Sequence, residues 1–237
     1  MSDYEYFPST LLWHEADDAQ SLAKQLAFDV AELLARFLSE KKRVSFAVSG
    51  GSTPKVFFQL LSEKKLDWSR VDIILVDERW VSQSDPNSNE AMVRRYLLQN
   101  EASSAPLLPI KNEAPNPELG LSGCEQLLRE LELPIDIVVL GMGEDGHTAS
   151  LFPDMPNLTE ALSSEALLYV VARPESADFP RISLCARVLA SASVVILHIT
   201  GQSKRNTLAL ACQQKNAMNM PIWSIIKQKE INVYWSV

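Results

Sequence analysis

The sequence predicts an α/β fold: a mostly parallel, Rossmann-like sheet with helices on both faces and an active site at the carboxyl ends of its strands. Three observations carry this prediction. Four short apolar runs, at residues 44–48, 71–76, 135–140 and 193–199, have the length and residue types of buried strands. Helical segments alternate with them, the pattern of a parallel sheet covered on both faces. Each run opens into a loop rich in polar residues, and open α/β sheets bind ligands at that end.

In chain order, residues 17–38 place Leu22, Leu26, Val30, Leu33, Leu34 and Phe37 at helical spacing with charged residues between them, so an amphipathic helix packs on the sheet. Lys41-Lys42-Arg43 reads as the solvated end of that helix, because cations favour helix carboxyl termini. The first strand, Val44-Ser45-Phe46-Ala47-Val48, leads to a helix at 54–61, for which Thr53 and Pro54 suit the N-cap and first helical positions. The second strand, 71–76, precedes helices at 89–98 and 117–131, with the two-proline stretch 112–120 as a surface connection. Residues 135–140 and 193–199 form the third and fourth strands, and a helix at 204–214 follows the last. Further strands are expected at 167–171, 182–184 and 231–235, with Trp223 and Trp235 in the core. No repeat or low-complexity tract interrupts the pattern, and residues 1–237 read as a single domain.

Composition narrows the function. With 46% hydrophobic and 22% charged residues over 237 positions, the chain can bury a sizeable core. Apolar runs stay well short of the roughly 20 residues a membrane helix requires, and Met1-Ser2-Asp3-Tyr4-Glu5 lacks the basic-then-apolar character of a signal peptide, so a cytoplasmic protein is expected. Cys124, Cys185 and Cys212 are odd in number and widely spaced, as expected of buried or half-buried thiols. A net charge of −8 argues against nucleic acid or anionic membrane as a partner, and any anionic ligand must find local positive charge.

The segment Leu140-Gly141-Met142-Gly143-Glu144-Asp145-Gly146-His147-Thr148-Ala149-Ser150-Leu151-Phe152-Pro153 is the most informative. It directly follows the third strand, so an ionisable pair, Asp145 and His147, is delivered to a strand end in a glycine turn. Histidine suits proton transfer near neutral pH. Ser49-Gly50-Gly51-Ser52-Thr53-Pro54, after the first strand, combines paired glycines with a helix amino terminus, a natural phosphate cradle that lacks the lysine of a nucleotide-triphosphate loop. The second strand ends in Asp77-Glu78-Arg79. Arg79 can hold an anion in fork geometry, and Asp77 or Glu78 can orient it or handle a proton. Arg181, and Lys204 at the start of a helix, would bring positive charge from other strand ends. A cation there is unfavourable to the helix dipole unless a ligand anion offsets it.

Competing readings are weaker. Gly141 to Gly146 matches the dinucleotide fingerprint Gly-x-Gly-x-x-Gly, but on a late strand, with an acidic pair where a pyrophosphate would approach and Pro153 limiting the following helix. His147 as a satisfied core residue is the bland alternative. His14, on a solvated helix approach, and His198, in a strand interior, share no metal-ligand spacing with it, so no metal or cofactor is called for. No Gly-x-Ser-x-Gly elbow supports covalent serine hydrolysis. What remains is a base acting on water or on a substrate hydrogen.

Taken together, Ser49 to Pro54, Asp77 to Arg79, Asp85 to Asn89, Gly141 to Pro153, Arg181 to Leu184 and Gly201 to Lys204 resemble the 6-phosphogluconolactonases of the glucosamine-6-phosphate isomerase/6-phosphogluconolactonase family. The likeness runs from about Trp13 to Trp235. The deaminase/isomerase branch typically reads Ile-Ala-Phe-Asn-Glu-Pro after the histidine, its glutamate relaying a proton in ring opening, and usually carries an aromatic residue where this chain has Arg79. Here Phe152 stands in the glutamate's place, and both departures favour the lactonases. The resemblance implies hydrolysis of 6-phospho-D-glucono-1,5-lactone to 6-phosphogluconate, the second step of the oxidative pentose phosphate pathway; the sequence leaves the oligomeric state open, with a monomer favoured. It implies that Ser49, Gly50, Gly51 and Ser52 form the phosphate loop with Arg181 and Lys204 as charged partners and Asp77 beside them. His147 would activate water, Asp145 would hold the site, and Arg79 would bind the substrate's anionic part or stabilise the oxyanion. A sugar-phosphate sensor built on a related fold is the non-enzymatic alternative.

Overall fold

Parallel strands buried on both faces are mostly apolar, and three adjacent strands, residues 44–48, 71–75 and 137–140, are fully buried end to end. The computed structural model describes residues 6–163, 165 and 167–237. The chain runs β1 (Leu11–Ala16), α1 (Ala19–Glu40), β2 (Val44–Val48), α2 (Lys55–Ser62), β3 (Val71–Leu75), β4 (Asp77–Arg79), α3 (Asn89–Tyr96), β5 (Leu107–Leu108) and α4 (Pro117–Arg129). It continues through β6 (Ile137–Leu140), α5 (Leu158–Ser163), β7 (Tyr169–Ala172), β8 (Arg181–Leu184), α6 (Ala186–Ser191), β9 (Val194–Thr200), α7 (Gln202–Gln214), α8 (Trp223–Ile226) and β10 (Ile231–Ser236).

Among the described residues, seven strands form one sheet in the order β1-β10-β9-β6-β2-β3-β5, and every pairing in it is parallel. Helices flank it, with α1 packing on β10, β2 and α2. The strands expected at 167–171 and 182–184 are present but leave that sheet: β7, β8 and β4 form a small antiparallel sheet in the order β4-β8-β7. The consequence for the site is direct. After Val76 the chain turns out of the parallel sheet, and the Asp77–Arg79 strand lies against Arg181–Ser183.

The main sheet has its topological switch at β2. From β2 the chain proceeds to β3 and β5 on one side, then returns to place β6 on the other. Loops leaving β2 and β6 therefore diverge and open a crevice at their carboxyl ends, where open α/β sheets bind ligands.

Three expectations change. A strand at the amino terminus, β1, was not foreseen: beyond Leu11 it is only partly buried or exposed, as suits an edge strand, and its partner β10 lies at the far end of the sequence. His14 thus belongs to a strand, with its ring stacked on Tyr234 at 4.4 Å and 6°. Lys41-Lys42-Arg43 is more than a solvated helix end. Lys41 Nζ lies 2.7 Å from Asp136, Arg43 grips Asp72 through two nitrogens at 2.8 and 2.6 Å, and Arg70 Nη2 takes the open carbonyls of Leu38 and Lys41 at the end of α1. Thr53 does not cap α2. Pro54 already has helical dihedrals and occupies the N-cap, with no side-chain cap bond.

Asp136 is the most demanding of these ionic sites. It is 2% exposed and also accepts Ser45 N–H and Oγ at 2.9 and 3.1 Å, tying β2 to the segment entering β6. Asp136→Ala leaves the Ser45 amide orphaned and Lys41 without its carboxylate, and is expected to lower unfolding stability by about 3 kcal/mol. Urea denaturation with an unchanged slope would show it; a change below about 1 kcal/mol would contradict this account.

Candidate active site

The crevice begins with a backbone clamp. Ser49, the residue after β2, donates its N–H and its Oγ to Val139 O at 3.1 Å each, and accepts Gly141 N–H on Oγ at 3.2 Å. The glycine loop and the histidine loop thus leave the sheet side by side. In the glycine loop the two glycines answer different constraints. Gly51 has φ +96°, a left-handed conformation that side chains disfavour, whereas a Cβ on Gly50 would overlap the Asn89 side chain. No side chain caps α2, and the residues leading into it, Thr53 and Pro54, line the crevice, so its amino terminus lies at the crevice edge.

Strand alternation sorts the Asp-Glu-Arg triplet. Asp77 and Arg79 face the crevice, while Glu78, 1% exposed, turns away to accept Arg79 N, Asn89 N, Glu90 N and Ser88 Oγ at 2.7–3.0 Å. Burial pushes the Glu78 carboxyl above its usual range against these hydrogen bonds, and its position makes it a clamp for the start of α3 rather than a group in the crevice. Asp77 is held by Ser150 Oγ at 2.5 Å, and Asn89 Nδ2 donates to Asp77 O at 2.9 Å. Arg79 donates through Nη1 to Asn87 O at 2.7 Å, and its Nε is buried with no partner.

The histidine loop is a tight turn. Gly143 N–H donates to His147 O at 2.8 Å, Gly146 adopts φ +75°, and Ala149 is held at φ +49°. A non-glycine residue in that region is strained, and it lies two positions after His147. His147 Nδ1 is 2.6 Å from Asp145 Oδ1, which also accepts the His147 backbone N–H at 3.1 Å. A carboxylate at Nδ1 places the ring proton there and leaves Nε2 as the basic nitrogen. Burial raises the Asp145 carboxyl, but the hydrogen bond and charge of His147 outweigh it and hold it below its usual range.

Phe152 links this histidine to the basic wall. Its ring stacks on His147 at 3.9 Å and 22°, and the Arg181 guanidinium lies 4.9 Å over it. Arg181 is 9% exposed, its Nε has no partner, and it stands opposite Arg79 in the antiparallel register. Burial lowers its pKa, Asp77 opposes that and Arg79 adds to it. Lys204, in the first turn of α7, lies 3.2 Å from Glu144 Oε1, so a neighbouring carboxylate already offsets part of the cost of a cation there.

The cleft encloses about 330 Å³, and Ser49, Gly50, Gly51, Ser52, Asp77, Arg79, His147, Arg181 and Lys204 all line it. Asp145 stands behind His147, outside the lining. The sequence reading missed Asn89 and Phe152 as site residues; both sit inside segments it had singled out, but Asn89 meets Asp77 and Glu78 on another strand, and Phe152 joins His147 to Arg181. It also placed His198 only in a strand interior, whereas this residue borders the cleft. Among the described residues, no cluster of His, Cys, Asp and Glu is arranged to hold a metal, and no helix is long and apolar enough to cross a membrane.

The model of the family described as glucosamine-6-phosphate isomerases/6-phosphogluconolactonase matches residues 17–235. The chain belongs to this family. A 6-phosphogluconolactonase of Pseudomonas aeruginosa is 39% identical over 218 residues, covering 92% of this chain and 91% of the relative. One from Rhizobium meliloti is 38% identical, covering 94% and 97%. A crystal structure of a 6-phosphogluconolactonase from Shewanella baltica superimposes with a TM-score of 0.93 at 38% identity, covering 96% of this chain and 98% of the other.

Two expectations follow from this family member's geometry. A Cβ at position 143 would overlap the His147 ring and crowd Asp145, so Gly143→Ala should displace His147 and, with that residue acting as the base proposed below, cut turnover at least about 100-fold while the fold persists by circular dichroism. Wild-type turnover in that variant would refute the placement of His147. Separately, burial depresses His198 to about 4. An unfolded chain takes that proton near pH 6.5, so between those values the unfolded state binds more protons. Stability from this group is full above about pH 6.5 and is lost as pH falls toward 4; His198→Gln should flatten that slope in urea titrations at several pH values, and an unaltered slope would count against it.

Proposed function

We propose that this chain hydrolyses 6-phospho-D-glucono-1,5-lactone to 6-phospho-D-gluconate, the second step of the oxidative pentose phosphate pathway, acting as a cytoplasmic monomer. The observation that carries the reading is the His147 ring, fixed at Nδ1 by Asp145, on the wall of a cleft that also gathers an open helix amino terminus, Arg79, Arg181 and Lys204. The similarity to 6-phosphogluconolactonases over nearly the whole chain supports it.

The chemistry needs few parts. The N–H groups of the Ser49–Ser52 loop, with Lys204 and Arg181, bind the phosphate. His147 Nε2 takes a proton from water as the water oxygen bonds to C1 of the lactone. Negative charge develops on the carbonyl oxygen, where Arg79 stabilises it. The tetrahedral intermediate collapses, the bond from C1 to the ring oxygen breaks, and the imidazolium returns its proton to that oxygen. Asp145 keeps the imidazole in the required tautomer, and Asp77, braced by Ser150 and Asn89, holds the guanidinium-lined wall. Phe152 has no proton to relay, which disfavours ring-opening deamination.

The test is lactone disappearance, with substrate generated freshly from glucose 6-phosphate and spontaneous hydrolysis subtracted. Wild type should accelerate the reaction. His147→Ala should lower kcat by about 10²- to 10⁴-fold while 6-phosphogluconate affinity is mostly kept, whereas Lys204→Ala should mainly raise KM. No acceleration above background would overturn the reading and direct the search to glucosamine 6-phosphate deamination.

A further inference from the structure

One buried titratable group has no part in that chemistry. His198 lies near the carboxyl end of β9, 4% exposed, yet it borders the cleft along with Thr200, Lys204 and the Ser49–Pro54 loop. Its Nδ1 is buried with no hydrogen-bond partner. Phe57 of α2, the helix that opens on the cleft, meets the ring edge-on at 6.1 Å. Tyr234, its neighbour in the β10 register, turns its hydroxyl to Asp29 on α1 at 2.7 Å and offers nothing to the imidazole.

An unpartnered polar ring is a costly occupant for such a position. Val195, Ile196, Leu197 and Ile199 around it in β9 are aliphatic and buried, and an aliphatic residue at 198 would avoid the cost. A ring proton on Nδ1 would be an orphaned donor inside the core, whereas on Nε2 it can serve a ligand in the cleft. The charged groups sharing that cleft are Lys204, Arg79, Arg181 and Asp77, with His147 on the histidine loop. Three of them are permanent or near-permanent cations, so an anionic ligand is what this wall would attract.

We propose that His198 is a further binding residue for the phosphate end of the substrate, donating its Nε2–H to a phosphate oxygen while remaining neutral. The proposal rests on the reading of the chain as acting on a phosphorylated lactone. A neutral donor adds a directed hydrogen bond without adding a fourth cation to a buried wall, where like charges would oppose one another.

The chain has three histidines, so ¹⁵N-histidine spectra of the whole protein resolve His198 by its disappearance in a His198→Gln variant. Saturating 6-phosphogluconate, and inorganic phosphate, should shift the His198 Nε2–H signal and leave the ring in its Nε2–H form; gluconate should not. His198→Phe, which keeps an aromatic ring against Phe57 but has no donor, should weaken 6-phosphogluconate binding about tenfold or more. It should raise KM far more than it lowers kcat, and His198→Gln, with its amide donor, should recover part of the loss. A protein that hydrolyses the lactone while its His198 signals ignore 6-phosphogluconate overturns this inference alone. Failure both to hydrolyse the lactone and to bind 6-phosphogluconate overturns it together with the functional reading. If His198→Phe does not fold, the wild-type spectra decide.

Discussion

Everything in the cleft depends on two parallel strands, β2 and β6, lying side by side while the chain continues away from them in opposite directions. Ser49 makes the junction rigid, donating to Val139 and accepting from Gly141, so the glycine loop and the histidine loop share one hydroxyl at their roots. Backbone groups that a continuing strand would have used are free to face a ligand. Asp136, one turn of the ladder below, ties the same two strands through Ser45 and anchors them to the end of α1 through Lys41. The site is therefore mounted on two fully buried strands, although its charged side chains sit on loops and strand ends.

The second organising device is the turn out of the parallel sheet at Val76. It brings Arg79 opposite Arg181 and leaves Glu78 to clamp the start of α3. The two arginines keep buried Nε groups without protein partners, and His198 keeps a buried Nδ1 in the same condition. Unsatisfied polar atoms are unfavourable for folding, and these three belong to residues that line one cleft, where Arg79, Arg181 and Lys204 gather positive charge in a protein of net charge −8. Lys204 is the exception, since Glu144 lies within reach of it. A bound phosphate would compete with that exposed carboxylate at modest cost, because exposed ion pairs contribute little.

Phe152 shows how one side chain serves both halves of the site. Its ring packs on His147 and under Arg181, so the histidine and the basic wall are spaced by an apolar plate instead of a second titratable group. The strained Ala149 lies between His147 and Phe152 in the same loop. Fixed by Asp145 on one side and Phe152 on another, the imidazole has little freedom to turn Nε2 away from the cleft.

Local chemistry determined much of this from the sequence alone. Runs such as Val-Ser-Phe-Ala-Val and Ile-Val-Val-Leu, short and followed by polar turn residues, read as buried strands, the spacing in α1 reads as an amphipathic helix, and a glycine-bracketed Asp-Gly-His after a strand reads as a candidate site. Those signals lie within a few residues of one another, which is why they were legible. The edge strand β1, the departure of β4, β7 and β8 into a separate antiparallel sheet, the pairing of Lys41 and Arg43 with Asp136 and Asp72, and the placement of Asn89, Phe152 and His198 around the cleft were decided by tertiary structure. Most of these depend on a partner on another element, and a side chain's charge, polarity or periodicity does not say which group the fold will bring to it.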